Sequence, residues 1–296
     1  MRKPIVVGVD GSHHAMNAVD WAAAEAGRRR LPLRIVHITT GWERGDIPAY
    51  RGHGSMAPPP ETPGLKVLDV AEERARTFAL VEIERRLGVG PVPGTLLQES
   101  ADGALLVLGQ RGTGTFTRLL LGSVSRQAAE HARCPVVIVP TDTDRRPRLP
   151  EIVVGIDGSE ASIDAVAFAL EEAAMRAIGV RAIHAWNHPD YPAEMRPAYY
   201  NTFTIEEEGA RVLSESLAGW TAKYPDVSVI QQVIEGNPAA VLTEASRTAE
   251  LLVVGARGRG GFPGLRLGSV SNAALHHAEG PLAIVRRSGG NAGSNG

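Results

Sequence analysis

The feature that most constrains this chain is a glycine-rich motif that occurs twice with the same spacing. Each copy opens with apolar residues that end in glycine, Leu105–Gly109 in one half and Leu251–Gly255 in the other. Two residues separate this glycine from a second one, and nine more precede a Gly-Ser pair that begins at Gly122 or Gly268. An apolar run ending in glycine predicts a buried strand leaving a sheet, and the glycines let backbone N–H groups approach a ligand closely.

In both copies the Gly-Ser pair is followed by Val-Ser and by an alanine-rich stretch that predicts a helix, Gln127–Ala132 and Asn272–Ala278. The first N–H groups of a helix have no partner within it, and the helix dipole is positive at that end. Such an end binds anions, so we expect a phosphate ligand carried by a nucleotide.

The rest of the chain repeats as well. Ile5–Ser12 is a short apolar strand that ends in Asp-Gly-Ser turn chemistry, and Ile152–Ser159 repeats it 147 residues later. Alternating polar residues predict that the third strand of each half lies near a sheet edge with one face in water. Proline and glycine predict a surface loop before it. The predicted segments are second strands Leu33–Ile38 and Val180–Ala185, surface loops Thr39–Gly64 and Trp186–Ala210, third strands Val81–Leu87 and Val227–Val233, short helices Thr95–Ala101 and Ala239–Thr248, and last strands Val136–Val139 and Leu282–Val285.

This alternation of strand and helix predicts the α/β fold class, with a doubly wound, parallel five-stranded sheet in each half and helices on both faces. Ligands of such sheets bind beyond the carboxyl ends of the strands. Asp10 and Gly109 fall at such ends in the first half, and Asp157 and Gly255 do so in the second. We therefore expect one cleft in each half.

The repeat also divides the chain. We expect two nucleotide-binding domains, residues 1–140 and 151–287, joined by a linker, residues 141–150, and followed by a disordered tail, residues 288–296. The last strand of each half is a candidate edge strand, and unpaired edges invite pairing. We expect the two halves to pair with each other, and dimerisation of the whole chain is left open.

Composition excludes several classes of protein. The formal net charge is −2 with acidic and basic residues interspersed, which argues against a nucleic acid or an anionic membrane as partner. Cys134 is the only cysteine, so an internal disulfide is excluded, and we interpret it as a packing residue. Apolar runs are too short for a signal sequence or a membrane span, so we expect a cytoplasmic protein.

Tandem Val-Gly-(Val/Ile)-Asp-Gly-Ser strands, each paired with a later Gly-x2-Gly-x9-Gly-Ser motif, resemble the universal stress protein family, in particular its two-domain nucleotide-binding branch. The resemblance covers about residues 3–140 and 150–287. It implies an adenine nucleotide alpha hydrolase-like, Rossmann-like fold. It also implies ATP as ligand, with or without Mg²⁺, and regulatory work under stress.

The resemblance also implies which residues contact the nucleotide. The aspartates lie on the adenosine side, the glycine loops wrap the phosphates, and the Gly-Ser-Val-Ser residues supply hydroxyl and backbone donors. The implied positions are Gly8, Asp10, Gly109, Gln110, Arg111, Gly112, Thr113, Gly114, Gly122, Ser123, Val124 and Ser125 in the first half, and Gly155, Asp157, Gly255, Ala256, Arg257, Gly258, Arg259, Gly260, Gly261, Gly268, Ser269, Val270 and Ser271 in the second.

Neither glycine loop has the lysine of a Walker A motif, so phosphate charge must be neutralised by Arg111, Arg257, Arg259, a metal ion or solvent. The first half has Thr113 where the second has Arg259. We therefore predict that the second cleft binds ATP more tightly than the first.

Other interpretations stay open. Asp-Gly-Ser is ordinary turn and helix-capping chemistry, so Asp10 and Asp157 have a purely structural alternative. The paired His37 and His184 are interpreted as packing or hydrogen-bonding residues, and His14, with its neighbour His13, as a surface residue. No nucleophile with a positioned base is evident. The alternatives to a regulatory ATP-binding protein are a slow metal-dependent ATP hydrolase and an interaction module that binds no nucleotide.

Overall fold

The computed structural model describes residues 2–40, 63–112, 121–140, 148–187, 202–259 and 265–286. The predicted tail, most of the predicted linker and four predicted ligand positions lie outside the described residues. Those four positions are Thr113, Gly114, Gly260 and Gly261.

Strands and helices alternate along both halves. The first half contains β1 Ile5–Val9, α1 His13–Arg29, β2 Leu33–Thr39, α2 Pro63–Arg76, β3 Ile83–Val89, α3 Val92–Glu99, β4 Leu105–Gly109, α4 Ser123–His131 and β5 Val136–Val139. The second contains β6 Leu149–Gly155, α5 Glu160–Arg176, β7 Gly179–Trp186, α6 Thr202–Leu217, α7 Trp220–Lys223, β8 Val229–Glu235, α8 Pro238–Ala245, β9 Ala249–Gly255, α9 Ser269–His277 and β10 Leu282–Val285.

The strands of the described residues form one ten-stranded sheet in the order β3-β2-β1-β4-β5-β10-β9-β6-β7-β8. Within each half all pairings are parallel, which confirms the predicted doubly wound five-stranded sheets. β5 and β10 pair antiparallel at the centre, with Val136 opposite Ile284. The expected pairing of the halves through their last strands is therefore confirmed, and β3 and β8 form the two outer edges as predicted.

Alternate residues of the inner strands face two hydrophobic cores. Val7 and Val107 point into the core under α1, α2, α5 and α6. Val6 and Leu106 point into the opposite core, under α3, α4, α8 and α9. Each face of the sheet is thus covered by helices from both halves, which leaves the strand ends as the place where polar groups gather.

The predicted boundaries were wrong in four places. The short helices are Val92–Glu99 and Pro238–Ala245, so both end earlier than predicted. The third strands begin two residues later than predicted and end before Gly90 and Gly236, whose φ angles are 140° and 154°. The predicted surface loops extend too far, because α2 begins at Pro63 and α6 at Thr202. β6 begins at Leu149, inside the predicted linker.

The loop prediction was wrong at two glycines because they lie in helices, where they allow close packing. Gly64 lies in α2, where an added Cβ would come 2.9 Å from the ring of His37, and Gly209 lies in α6, where it would come 3.0 Å from the ring of His184. Each histidine Nδ1 lies 2.8 Å from a backbone oxygen, that of Val9 or that of Ile156. The interpretation of these histidines as packing and hydrogen-bonding residues is confirmed.

An ionic cluster joins α1 of the first half to α5 of the second. Glu25 and Glu172 are fully buried, and Arg29 and Arg176 lie between them. Arg29 binds Glu25 at 2.6 Å and also contacts Glu172, while Arg176 binds both carboxylates at 2.7 Å. The guanidinium groups stack on Phe168 and Trp21 at 5.6 and 5.4 Å from the ring centroids. The cluster follows the internal repeat and ties the halves together on one face of the sheet.

Candidate functional site

The first part of the site is the turn between the opening strand and the first helix of each half. The N–H of Ser12 donates to Asp10 Oδ1 at 3.0 Å, and Ser159 donates to Asp157 Oδ1 in the same way at 3.0 Å. Both serines then cap their helices, since each side chain accepts an N–H three residues on. The intervening Gly11 has φ +83°, a left-handed conformation that favours glycine. Both aspartates thus have a turn function, their contact with a ligand stays a prediction, and Oδ2 of each faces the glycine loop.

The glycine loop of each half meets the aspartate. A Cβ added to Gly112 would collide with Asp10 Oδ2, and one added to Gly258 would collide with Asp157 Oδ2. In the second half the backbone N–H of Arg259 donates to Asp157 Oδ2 at 2.9 Å. The structure thus brings the opening strand and the glycine loop together, and glycine at these positions is required by the close approach of the carboxylate.

The first glycine of each motif lies against the first turn of a helix. A Cβ on Gly109 would come 2.6 Å from the backbone carbonyl of His14, and a Cβ on Gly255 would come 2.7 Å from that of Ala161. The end of the motif strand therefore packs directly on the helix that follows the aspartate. This contact fixes the position of the strand end relative to the first turn of the helix.

The Gly-Ser-Val-Ser segment forms the N-terminus of α4 and of α9. Gly122 and Gly268 are the N-cap residues, and their N–H groups bind back to Gln110 and Ala256 carbonyls at 2.9 and 2.8 Å. The hydroxyl groups of Ser125 and Ser271 are buried and donate to Gly109 and Ala256 carbonyls at 2.7 and 2.8 Å. In this structure the loop uses both hydroxyls, and their contact with a ligand stays a prediction.

The other donors of these helix ends point outward. The first intrahelical bond of α4 is Arg126 N–H to Gly122, at 3.1 Å, and that of α9 is Asn272 N–H to Gly268, at 2.9 Å. The three preceding amides in each helix have no partner within the helix, and a glycine N-cap offers no side chain to them. Ser123 and Ser269 are exposed at the same ends. Each end therefore presents backbone and hydroxyl donors suited to an anion.

Hydrogen bonds from Ser159 and, to a smaller extent, from the glycine loop lower the pKa of Asp157. Burial alone would raise the pKa of Asp157, but hydrogen bonds from the hydroxyl and N–H of Ser159 and from the N–H of Arg259 outweigh it and hold the pKa below its ordinary value. A carboxylate at this position favours hydroxyl donors and repels phosphate. A sugar fits beside it better than a phosphate does.

Two predicted ligand residues have a clear packing function. A Cβ on Gly8 would come 2.6 Å from Leu108, and one on Gly155 would come 2.6 Å from Leu242. Glycine is needed there for strand and helix packing, and the ligand contact of these two residues stays a prediction. The ligand contacts of Gln110, Arg111, Val124, Ala256, Arg257 and Val270, all within the described residues, stay predictions too.

The sequence interpretation missed His14, which it placed on the surface. His14 is half-buried in the first turn of α1, beside the first cleft. Burial lowers its pKa, the charge of Arg111 lowers it further, and Asp10 acts in the opposite direction. The equivalent residue of the second half is Ala161. Its place in the first turn after the aspartate was the available signal, since that turn borders the strand end.

Two general properties of the described residues bear on function. Among them, no three His, Cys, Asp or Glu side chains are grouped so as to hold a metal ion. Within the same part of the chain, no helix combines the length and the apolar composition that crossing a membrane requires. Cys134 is buried, and burial raises the pKa of its thiol to about 11, as expected of a packing residue.

The fold and the two clefts define a tandem doubly wound α/β protein with a helix N-terminus at each pair of strand ends. The sequence model of the universal stress protein family matches residues 1–140 and 150–286. This chain belongs to the universal stress protein family.

Relatives match over nearly the whole chain. Universal stress protein Rv2005c of Mycobacterium tuberculosis is 37% identical, covering 96% of this chain and 97% of its own. Universal stress protein Rv2623 of the same organism is 36% identical, covering 96% of each chain. The crystal structure of a universal stress protein from Archaeoglobus fulgidus aligns with a TM-score of 0.61 at 18% identity, over 96% of this chain and 98% of that one, which supports the fold.

Proposed function

We propose that this protein is a regulatory ATP-binding protein whose two clefts take the nucleotide and whose nucleotide state selects its partners. The observation that supports this most is the constellation repeated in both halves, in which an aspartate, a glycine loop and an unpaired helix N-terminus meet at the strand ends. One such element alone is ordinary structure. Three elements meeting at the strand ends, in both copies, favour a ligand that combines a sugar with phosphates.

The proposal assigns each group by its charge. The amides and Ser269 hydroxyl at the start of α9 receive phosphate oxygens, and Arg257 neutralises part of their charge. Asp157, which holds the loop through Arg259, faces the ribose hydroxyls with its remaining acceptor capacity. The first half uses Ser123 and Arg111 in the same way. Mg²⁺ enters the proposal as a counterion brought by the nucleotide, because the loops lack a Walker A lysine.

The proposal places the protein in the cytoplasm, where a buried lone thiol stays reduced. Dimerisation of the whole chain remains a prediction, which light scattering with and without ATP tests. Neither point enters the binding experiment below.

The experiment titrates ATP by calorimetry into the full chain and into two variants that each block one cleft. Gly112→Val and Gly258→Val put a side chain onto the facing aspartate oxygen, so each is expected to remove one of two binding events. Gly94→Ala is the matched control, because an added Cβ there meets nothing within 4 Å and its helix tolerates alanine. ATP should also raise the melting temperature, since a ligand at about a hundredfold excess over Kd stabilises by roughly 2.7 kcal/mol. No binding to the unmodified chain, or equal stoichiometry in all four proteins, would reject the proposal.

A further inference from the structure

The antiparallel pairing at the centre of the sheet brings part of the first half to the second cleft. β10 runs beside β9, so its end at Val285 lies next to Gly255 and the second glycine loop. β5 runs the opposite way, so the helix before it, α4, ends beside the carboxyl end of β10. The C-terminal end of α4 therefore lies near the phosphate side of the other half's cleft.

Arg286 bridges these two parts. Its Nη2 donates to the carbonyl of Ala129 in α4 at 2.6 Å and to the carbonyl of Arg266 at 3.1 Å. The Ala129 carbonyl is one of the last of its helix and has no intrahelical donor, since the final bond runs from Ala132 N–H to Ala128 at 2.9 Å. Arg266 lies in the segment that enters α9, two residues before the N-cap Gly268. Arg286 thus anchors the entry to the second anion-binding helix end on the first half.

The charges around Arg286 are not balanced. Burial lowers the pKa of Arg286, the charges of Arg257 and Arg266 lower it further, and only Glu130 acts in the opposite direction. Glu130 is itself paired with Arg126 at 2.8 Å. The Nε–H of Arg286 is buried and has no hydrogen-bond partner within the described part of the chain. Among the described residues, three guanidinium groups therefore act on one another with only Glu130 opposing them, which is unfavourable until an anion arrives.

The first cleft lacks this arrangement. The repeat places Arg111 at the position of Arg257, but Leu120 at the position of Arg266 and Pro140 at the position of Arg286. Leu120 lies outside the described residues, and Pro140 has neither a charge nor a side-chain donor. The difference between the clefts is therefore one of positive charge at the phosphate end.

We propose that Arg257, Arg266 and Arg286 form an anion-binding position that receives the terminal phosphates of a nucleoside triphosphate, so that the second cleft selects for phosphate number. This inference rests on the proposed function, because it assumes that a nucleotide binds there. The first cleft, where the repeat places Arg111 but no arginine at the positions of Arg266 and Arg286, is expected to distinguish phosphate number weakly. The two clefts then report different quantities, one the total nucleotide and the other the triphosphate.

The test measures the affinities of ATP, ADP and AMP for each cleft alone at constant ionic strength. In the Gly112→Val chain, which keeps the second cleft, ATP is expected to bind at least about tenfold more tightly than ADP. A charge-assisted hydrogen bond to the terminal phosphate contributes an affinity of about this size. Arg266→Ala and Arg286→Met should bring this ratio close to one while leaving AMP affinity within about twofold. Arg211→Ala, which removes an exposed arginine on α6, is the matched control and should change nothing.

The variants separate binding from the structural role of Arg286. Loss of the α4 cap alone would weaken ATP, ADP and AMP alike, whereas loss of a phosphate contact changes their ratio. Arg286→Lys keeps the charge and one donor to Ala129, so it should retain most of the ratio. Arg266 is exposed, and its replacement carries the test even if Arg286→Met does not fold.

The outcomes distinguish this inference from the proposed function. No nucleotide bound by either single-cleft chain rejects the proposed function. If the second cleft binds nucleotide with the same ATP-to-ADP ratio in the Arg266→Ala, Arg286→Met and unmodified chains, the anion position is rejected and the proposed function stands. An equal ratio of ATP affinity to ADP affinity in both single-cleft chains also rejects the anion position.

Discussion

The two buried glutamates between the halves should differ in how much stability the protein loses when each is replaced by glutamine. Burial raises the pKa of Glu172, and the charge of Glu25 raises it further, with Arg176 and Arg29 offsetting only part of this. Burial also acts to raise the pKa of Glu25, but Arg176, a hydrogen bond from Glu172 and Arg29 outweigh it and lower the pKa. As the pH falls, Glu172 should therefore take up a proton before Glu25 does.

The magnitudes follow from these opposite pKa shifts. Glu25→Gln removes the carboxylate that Arg29 and Arg176 share, and removing one partner of a buried ion pair costs about 3–5 kcal/mol. Glu172→Gln removes the carboxyl group whose ionisation burial and Glu25 oppose and leaves an amide of the same shape, so it should cost less, about 1 kcal/mol. Melting temperatures near neutral pH should fall by roughly 5–10 °C for Glu25→Gln and by little for Glu172→Gln.

The pH dependence of folding stability provides a second test of the same assignment. The folded pKa of Glu25 lies below its ordinary value of 4.5, so the stability that Glu25 contributes is present above that pH and is lost as the pH falls through the folded pKa. The folded pKa of Glu172 lies above 4.5, so its contribution is present below that pH and is lost as the pH rises through the folded pKa. In urea unfolding from acid to neutral pH, the cost of Glu25→Gln should shrink towards acid, and Glu172→Gln should remove the loss on the alkaline side. Equal costs and parallel pH profiles for the two variants would refute the assigned order of protonation.

Three further predictions concern the clefts. Gly255→Ala should leave weaker residual ATP affinity than Gly109→Ala, since we predict the second cleft to be the tighter one; equal residual affinities by calorimetry would contradict it. Asp157→Asn should speed amide hydrogen exchange in the glycine loop at neutral pH, and the unmodified loop should open similarly only as the pH falls below the lowered pKa of Asp157; unchanged exchange would show that the carboxylate does not hold the loop. The ATP affinity of the first cleft should rise below pH 6.5, because His14 has its pKa below that value and becomes positively charged there. His14→Ala should abolish this rise, and Ala161→His should create one in the second cleft. Unaltered pH profiles of ATP affinity would exclude His14 from the cleft.

Local patterns and repeat spacing were enough to predict the parallel sheets, the pairing of the halves and the meeting of aspartate with glycine loop. They failed where one residue type serves two purposes. Gly64 was interpreted as part of a loop because the sequence alone does not distinguish a glycine that forms a turn from a glycine that packs under a histidine ring. Ser123 and Ser125 were treated alike, although residues two apart on a helix point in different directions, and only Ser125 turns inward to Gly109.

Contacts between the halves were beyond reach of the sequence, because they depend on the direction in which the last strands pair. Parallel pairing would have placed the two clefts at one edge of the sheet, each with its own helices. The observed antiparallel pairing instead places the end of α4 beside the second cleft, and by the same symmetry the end of α9 beside the first. A residue just after the last strand then touches the other half, which is how Arg286 reaches Ala129. After duplication, the two copies diverged at that position, proline in one and arginine in the other, and also at Leu120 and Arg266, so that the two copies carry different charge there.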